Sequence, residues 1–370
     1  MVTISAPGKI LWIGGYSVLE RPNVSFVTGV DKRVFASIEK SGGVSMISKQ
    51  FGYELKGTIG PKGEISLLGE EGKAKFVKAA CQSSCAYLAS IGKAATGFSL
   101  ETDSDEAFGV EVKAGLGSSA AVTVAVVGAV LALHGYDVET SRELVHKLSQ
   151  YSHYIAQGKV GSGFDIAAAA VGASSYVRYS PAFVTEHAFP ANIDEEWNFE
   201  VRRVPVPPQF CVAAASLGKS ASTSEMVKKV NAWKAAQPEA YAKLMAEYNE
   251  ANVRAIAALD SLSADFDRFK LEDFKSWFFQ SRLQKKALGE RSGTDIESDE
   301  YTALIEESEK HGAFVACLPG AGGGDSIAAF CLGEKKKEEL RAFWTSYGLK
   351  VLDVGISNDG VRIEQEKTAP

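Results

Sequence analysis

The chain is 370 residues long, 45% hydrophobic and 23% charged, which excludes a fibrous or disordered class and exceeds the roughly 250–300 residues at which one core stops growing. Two closely packed domains are expected. Its 40 Lys and Arg against 46 Asp and Glu leave a net charge of −6, the wrong sign for nonspecific attraction to nucleic acid or an anionic membrane surface.

At the N-terminus, Met1-Val2-Thr3-Ile4-Ser5 lacks the basic stretch of a secretory signal and Lys9 soon interrupts the apolar run, so a cytoplasmic protein is expected. Residues 2–5, 27–30, 35–39 and 44–48 are short β-rich runs between turn residues and read as strands. A helix is expected over about 73–91, with Phe76, Val77, Ala80, Tyr87 and Leu88 on one side. Residues 98–102 and 108–112 alternate like strands, and Gly115-Leu116-Gly117-Ser118-Ser119 then leads straight into an apolar run at 120–133. That run is shorter than the ~20 residues needed to cross a bilayer and reads as a buried helix. Helices at 141–156 and 165–171 and a closing strand at 174–179 complete an α+β half with mixed strands.

The polar stretch 180–208, with Pro190, Pro205, Pro207 and Pro208, marks a domain junction, so the expected division is 1–200 and 201–370. Beyond it come a strand at 210–217, helices at 223–233, 239–259, 271–288 and 299–311, strands at 314–317 and 326–331, a helix at 335–347 and a strand at 349–354. Strands bracketing helices in this order predict a split βαβ, ferredoxin-like domain. Five cysteines with no C-x-x-C pair read as buried reduced thiols, although Cys81 and Cys85 share a helix face as half of a metal site would. The five histidines, His134, His146, His153, His187 and His311, show no metal-ligand spacing and are expected in surface or core roles.

Gly115-Leu116-Gly117-Ser118-Ser119-Ala120 is the segment with the clearest chemistry. Glycines let backbone N–H groups approach an anion, serine hydroxyls add donors, and the following helix presents its positive end to the same point. Phosphate fits such a loop; a plain glycine turn with a serine N-cap is the other reading. The formal match to G-x-G-x-x-A lacks the second strand of a dinucleotide fold, and Gly218-Lys219-Ser220 lacks the leading glycine of a P-loop, because position 213 is Ala.

Three motifs resemble those of the GHMP kinases, which include galactokinase, homoserine kinase, mevalonate kinase and phosphomevalonate kinase. They are Ala6-Pro7-Gly8-Lys9-Ile10-Leu11, the loop at 115–121, and Leu318-Pro319-Gly320-Ala321-Gly322-Gly323-Gly324-Asp325. The resemblance spans nearly the whole chain. It implies the α+β GHMP kinase fold: an N-terminal ribosomal-protein-S5-like α/β domain and a C-terminal ferredoxin-like domain. Gln157-Gly158-Lys159-Val160-Gly161-Ser162-Gly163-Phe164-Asp165 and Gly218-Lys219-Ser220-Ala221-Ser222-Thr223 are similar to segments of the phosphomevalonate kinase branch, and Gly14-Gly15-Tyr16-Ser17-Val18-Leu19 departs from the G-E-H form of the mevalonate and galactose branches.

The roles that follow are implied by this resemblance. Lys9 and Asp165 are catalytic. Gly115, Leu116, Gly117, Ser118, Ser119 and Ala120 bind the phosphates of ATP, with Asp103 and Ser104 toward the adenine, and Ser119 is the protein ligand to Mg²⁺. A metal-binding glutamate of mevalonate kinases falls at His153 in a rough alignment, which leaves the chain's own share of metal binding open. The acceptor is bound by Lys9, Tyr16, Ser17, Val18, Lys159, Ser162, Gly163, Lys219, Ser220, Ser222, Gly322 and Gly323. Read from the residues alone, Lys159 and Lys219 could be ordinary surface lysines, and Asp165 could offset a helix dipole. Amid Gly and Ser in two loops, they suit a doubly anionic acceptor. The expected activity is ATP-dependent phosphorylation of (R)-5-phosphomevalonate by a monomer or homodimer that binds neither nucleic acid nor membrane. Another GHMP activity, such as mevalonate or homoserine kinase or the related decarboxylase, is the alternative, and a non-catalytic metabolite sensor of the same fold is the rival from another class.

Overall fold

The computed structural model describes residues 1–49, 51–69, 72–93, 96–106, 115–159, 161–219 and 222–366. The N-terminal half runs β1 (Val2–Ile13), β2 (Ser25–Lys40), β3 (Val44–Ser48), β4 (Tyr53–Ile59), β5 (Ile65–Leu68), α1 (Lys75–Ser90), β6 (Phe98–Ser104), α2 (Ser118–Leu133), α3 (Arg142–Ala156), α4 (Phe164–Val171), β7 (Ser174–Val177), α5 (Pro181–Thr185) and β8 (Glu200–Arg203). The remainder is β9 (Phe210–Ser216), α6 (Thr223–Ala236), α7 (Pro238–Ala264), α8 (Arg268–Ser292), α9 (Asp299–Lys310), β10 (Ala313–Cys317), β11 (Ser326–Leu332), α10 (Glu334–Ser346), β12 (Lys350–Leu352), β13 (Ile356–Ser357) and β14 (Arg362–Glu366).

The first sheet has the order β14-β1-β2-β6-β3-β4-β5, with β13 and β7 also on β2 and β8 on β7. All its pairs are antiparallel except β3 with β6. The two strands expected at 27–30 and 35–39 are one continuous β2. Asp31 and Lys32 look like a turn in sequence, but Asp31 donates its N–H to Gly355 O and accepts Gly355 N–H on its carboxylate, so the strand runs on along a polar edge. The segment expected as a strand at 108–112 lies outside the described residues.

α2 is apolar on every side because it is buried on every side, between the β1–β2 face of the sheet and α1, α3 and α4. The second sheet has the order β10-β11-β9-β12, entirely antiparallel, which is the ferredoxin-like arrangement. Period-two alternation along β9 divides its faces. Ala213 and Ala215 pack under α9 and α10, whereas Phe210, Val212 and Ala214 join Ile10, Trp12 and Ile13 of β1 and residues of α7 and α8. Trp12 stacks on Phe330 with ring centres 3.9 Å apart, so the two domains share an apolar core.

The chain crosses the expected 200/201 division twice. β8 straddles it while pairing with β7, and β13 and β14 return from the C-terminal end to the first sheet. Of the five free cysteines, Cys81, Cys85, Cys317 and Cys331 are buried and Cys211 is half-buried. No helix among the described residues is long and apolar enough to cross a membrane.

Candidate active site

β1 carries Lys9 to the mouth of the glycine loop. Its N–H donates to Leu116 O at 2.8 Å, its ammonium donates to Gly115 O at 2.6 Å, and the ammonium lies 5.2 Å from the centre of the Phe164 ring. Burial pushes this ammonium below the usual lysine range; Asp165 and then Asp325 push it back up.

The loop takes the form the anion-binding reading requires. Gly117 is the N-cap of α2 at φ 79°, a left-handed conformation that disfavours a side chain, and a Cβ there would stand 3.0 Å from Lys9 Cγ. No side chain caps the helix, so the serines are not spent on capping and Ser118 is exposed at the helix start. Ser119 Oγ lies 3.1 Å from His153 Nε2. His153 is buried, stacked on Phe76 and pushed toward the neutral form chiefly by that burial, against an opposing influence from Asp165.

Asp165 occupies the first turn of α4, whose N-cap Gly163 has φ 80°, and one of its carboxylate oxygens accepts Ile166 N–H at 3.0 Å. Helix-start stabilisation and an electrostatic hold on Lys9 therefore coexist. A cavity of about 230 Å³ opens beside Lys9, walled by Gly115, Leu116, Ser162, Phe164, Tyr16 and the glycine-rich turn at 319–322. That turn is tied down by Tyr16, whose hydroxyl donates to Ala321 O at 3.0 Å, and by Gly320 N–H on Leu11 O.

The structure thus brings together Lys9, Tyr16, Gly115, Leu116, Ser162 and Gly322 on one cavity, with Gly117, Ser118, Ser119, Ala120, Gly163 and Asp165 at its two helix starts. Other expected residues stand apart. Ser17 is fully buried, donating to Val24 O and accepting from Asn252, and Val18 packs in the core with Leu11 and Val27, so neither side chain lines the cavity. Lys159 is exposed at φ 64° after α3, off the cavity. Lys219 is exposed too, 3.6 Å from Glu300 and over the Tyr301 ring. Ser222 caps α6 by accepting Glu225 N–H, and Gly323 N–H donates to Ile296 O, so neither faces the cavity. Asp103 and Ser104 close β6 opposite Phe35 and Val34, away from the cavity. Ser220 lies outside the described residues.

Sequence reasoning missed Gly15, Thr223 and Asp325 as cavity residues, and it marked His153 only as the aligned position of a metal-binding glutamate, without its contact to Ser119. Gly15 and Asp325 lie inside the quoted motifs and could have been found there; His153 touches Ser119 only through the packing of α3 on α2, which leaves no local signal. Among the described residues no group of three or more His, Cys, Asp or Glu could hold a metal ion.

Fold and loop define a class: a two-domain protein in which a glycine-rich helix start faces a cleft closed by a ferredoxin-like domain. A family model for the GHMP kinases N terminal domain matches residues 75–173 and one for the GHMP kinases C terminal matches residues 255–350, together more than half of the chain. The chain belongs to the GHMP kinases. It is 29% identical to a phosphomevalonate kinase of Saccharolobus solfataricus, with 98% of this chain and 99% of that one covered, and 27% identical to a phosphomevalonate kinase of Gibberella zeae, with 98% and 96% covered. The solved structure of Streptococcus pneumoniae phosphomevalonate kinase in complex with phosphomevalonate and AMPPNP shares the fold at a TM-score of 0.76 and 22% identity, over 96% of this chain and 100% of that one.

Proposed function

We propose that this protein transfers the γ-phosphoryl group of ATP to the phosphate of (R)-5-phosphomevalonate, giving the diphosphate. The observation that supports this reading is the continuity of the glycine loop, Lys9 and the 230 Å³ cavity, in which one ammonium can serve both a phosphate donor and an acceptor. Full-length similarity to phosphomevalonate kinases supports the choice of acceptor.

In this reading the N–H groups at the start of α2 and the loop backbone hold the transferring end of ATP, and Lys9 meets the charge that spreads over the phosphoryl oxygens. Bringing anions to Lys9 offsets its desolvation and keeps it protonated. The acceptor phosphate has a second pKa near 6 and is already mostly dianionic at neutral pH, so no base has to create the nucleophile. Asp165 then serves to orient and balance Lys9.

Mg²⁺ suits the donors present, since it takes one or two protein oxygens and completes its shell with phosphate oxygens and water. The Ser119 hydroxyl is the oxygen that would hold it, and the ion would supply neutralisation of the polyphosphate charge. The same reading places the enzyme in the cytoplasm, where its five free thiols stay reduced.

The test is an acceptor panel of phosphomevalonate, mevalonate, homoserine and diphosphomevalonate with purified protein, ATP and mass detection of products. A diphosphate formed only from phosphomevalonate is expected. Turnover of another acceptor alone replaces the assignment, and binding without any turnover replaces it with a sensor.

A further inference from the structure

A dianionic phosphate and a carboxylate call for more positive potential than the single ammonium of Lys9 provides. Among the described residues lining the cavity, Lys9 is the only cation, and Asp325 is a carboxylate that opposes it. Lys159 and Lys219 are exposed and off the cavity. The starts of α2 and α4 add positive potential at the cavity and Arg178 donates to Leu19 O and Gly161 O at its edge, and one further cation stands behind the opposite wall.

One residue layer behind the wall lies Lys285 of α8. Its ammonium donates to Leu318 O at 2.7 Å, immediately before the turn residues that line the cavity. Its Cε lies 3.3 Å from where a Cβ on Gly15 would stand, and Gly15 itself lines the cavity. Such a Cβ would also meet Gly320 O at 2.1 Å, so the wall here is bare backbone, through which charge acts at short range.

The surroundings of Lys285 leave its charge largely uncancelled. Among the described residues it forms no ion pair of its own. Glu297 is engaged by Arg282 through a buried ion pair at 2.7 Å and accepts from Thr302. Those two residues cancel each other, and the trio with Lys285 keeps a net charge of +1. Cys317 beside it is pushed up to about 12 by burial and stays a neutral thiol. Burial is the largest influence on the Lys285 ammonium and holds it below the usual lysine range; Cys317 and Glu297 push the other way more weakly. The side chain also borders a cavity of only about 10 Å³, so no ligand reaches it directly.

A fold gains little by burying a lone cation, since replacing buried charge by neutral groups is often stabilising. We propose that Lys285 is a positioning and charge-recognition residue for the acceptor: without touching it, Lys285 fixes the 318–322 turn and supplies the field that favours a phosphorylated acceptor over an unphosphorylated one. The proposal rests on reading the 230 Å³ cavity as the acceptor site.

The test compares Lys285→Gln, which keeps a donor for Leu318 O but no charge, with Lys285→Arg, which keeps the charge. Dissociation constants for phosphomevalonate and for mevalonate are measured by calorimetry, with turnover and thermal midpoints alongside. Lys285→Gln should weaken phosphomevalonate about tenfold or more and mevalonate much less, because the Coulomb loss scales with ligand charge. KM for ATP should hold, and Lys285→Arg should restore part of the loss. Equal weakening for both acceptors, or a fall in thermal midpoint that accounts for it, marks a merely structural role and overturns the proposal. Wild-type protein that neither binds nor turns over phosphomevalonate sinks the functional reading, and this inference with it; normal wild-type turnover with an unchanged Lys285→Gln preference sinks only the inference.

Discussion

Lys9 works between opposing influences, and their signs make a prediction that separates Asp165 from a general base. Burial disfavours the charged ammonium and Asp165 favours it, so Asp165→Asn removes an upward push and lowers the Lys9 pKa further. Activity that needs protonated Lys9 is lost as pH rises through that pKa, so the basic limb of kcat/KM should move to lower pH in Asp165→Asn. The acidic limb should stay near pH 6, where the acceptor phosphate gains its second charge, and should move down when that phosphate is replaced by a fluorinated phosphonate. An acidic limb that ignores the phosphonate and vanishes in Asp165→Asn would make the carboxylate the base. At this scale the sequence was most informative where backbone conformation demands a residue type: Gly117 and Gly163 both sit at positive φ before a helix. It was least informative for long side chains. The loops of Lys159 and Lys219 read as anion sites by composition, but composition does not fix the direction of a flexible lysine, and both side chains end at the surface.

Helices α3 and α4 show how a neighbouring element supports the site. Gln150 of α3 donates through Nε2 to Gly163 O at 2.8 Å, and the same nitrogen donates to His146 Nε2 at 2.9 Å. His146 is fully buried and its pKa is pushed down to about 3, chiefly by that burial. The native protein therefore leaves His146 neutral between pH 6.5 and about 3, while the unfolded chain protonates it below about 6.5. The unfolded state binds more protons in this window, so stability falls as pH falls, by about 2 kcal/mol at pH 5. Thermal midpoints of His146→Gln should fall less steeply between pH 7 and 5 than those of the wild type; parallel slopes would remove His146 as the source. Existence and type of α1 and α6 to α10 were legible because their helical patterns are long, and α2 because its apolar run is uninterrupted by charge. β4 and β5 were not, since β4 is half-exposed and interrupted by Glu54, Lys56 and Gly57 and β5 is very short.

Closure of the whole molecule lies beyond any local pattern, because β13 and β14 belong to a sheet whose other strands all lie in the N-terminal part of the sequence, before β9. Their contribution is set by Arg33, which is almost fully buried. Its Nη2 donates to Gly360 O at 2.6 Å and to Ser5 O at 3.2 Å, its Nε donates to Ser5 Oγ at 2.6 Å, and Glu364 stands 3.6 Å away. Burial already lowers its pKa to about 10. Ending the chain after Val354 removes Gly360 and Glu364 together, exposes the β1 edge that β14 covers, and uncovers the core around Val361. Stranding a buried charge commonly costs 3–5 kcal/mol, comparable to much of a domain's stability of 5–15 kcal/mol. A 1–354 protein should therefore lose its cooperative thermal transition by circular dichroism, although the cavity residues and all three motifs are still present in it. Adding Arg33→Met to the truncated chain removes the stranded charge without restoring the strand. Partial recovery of the transition would assign the loss to the guanidinium, whereas no recovery would assign it to the exposed sheet edge and the opened core.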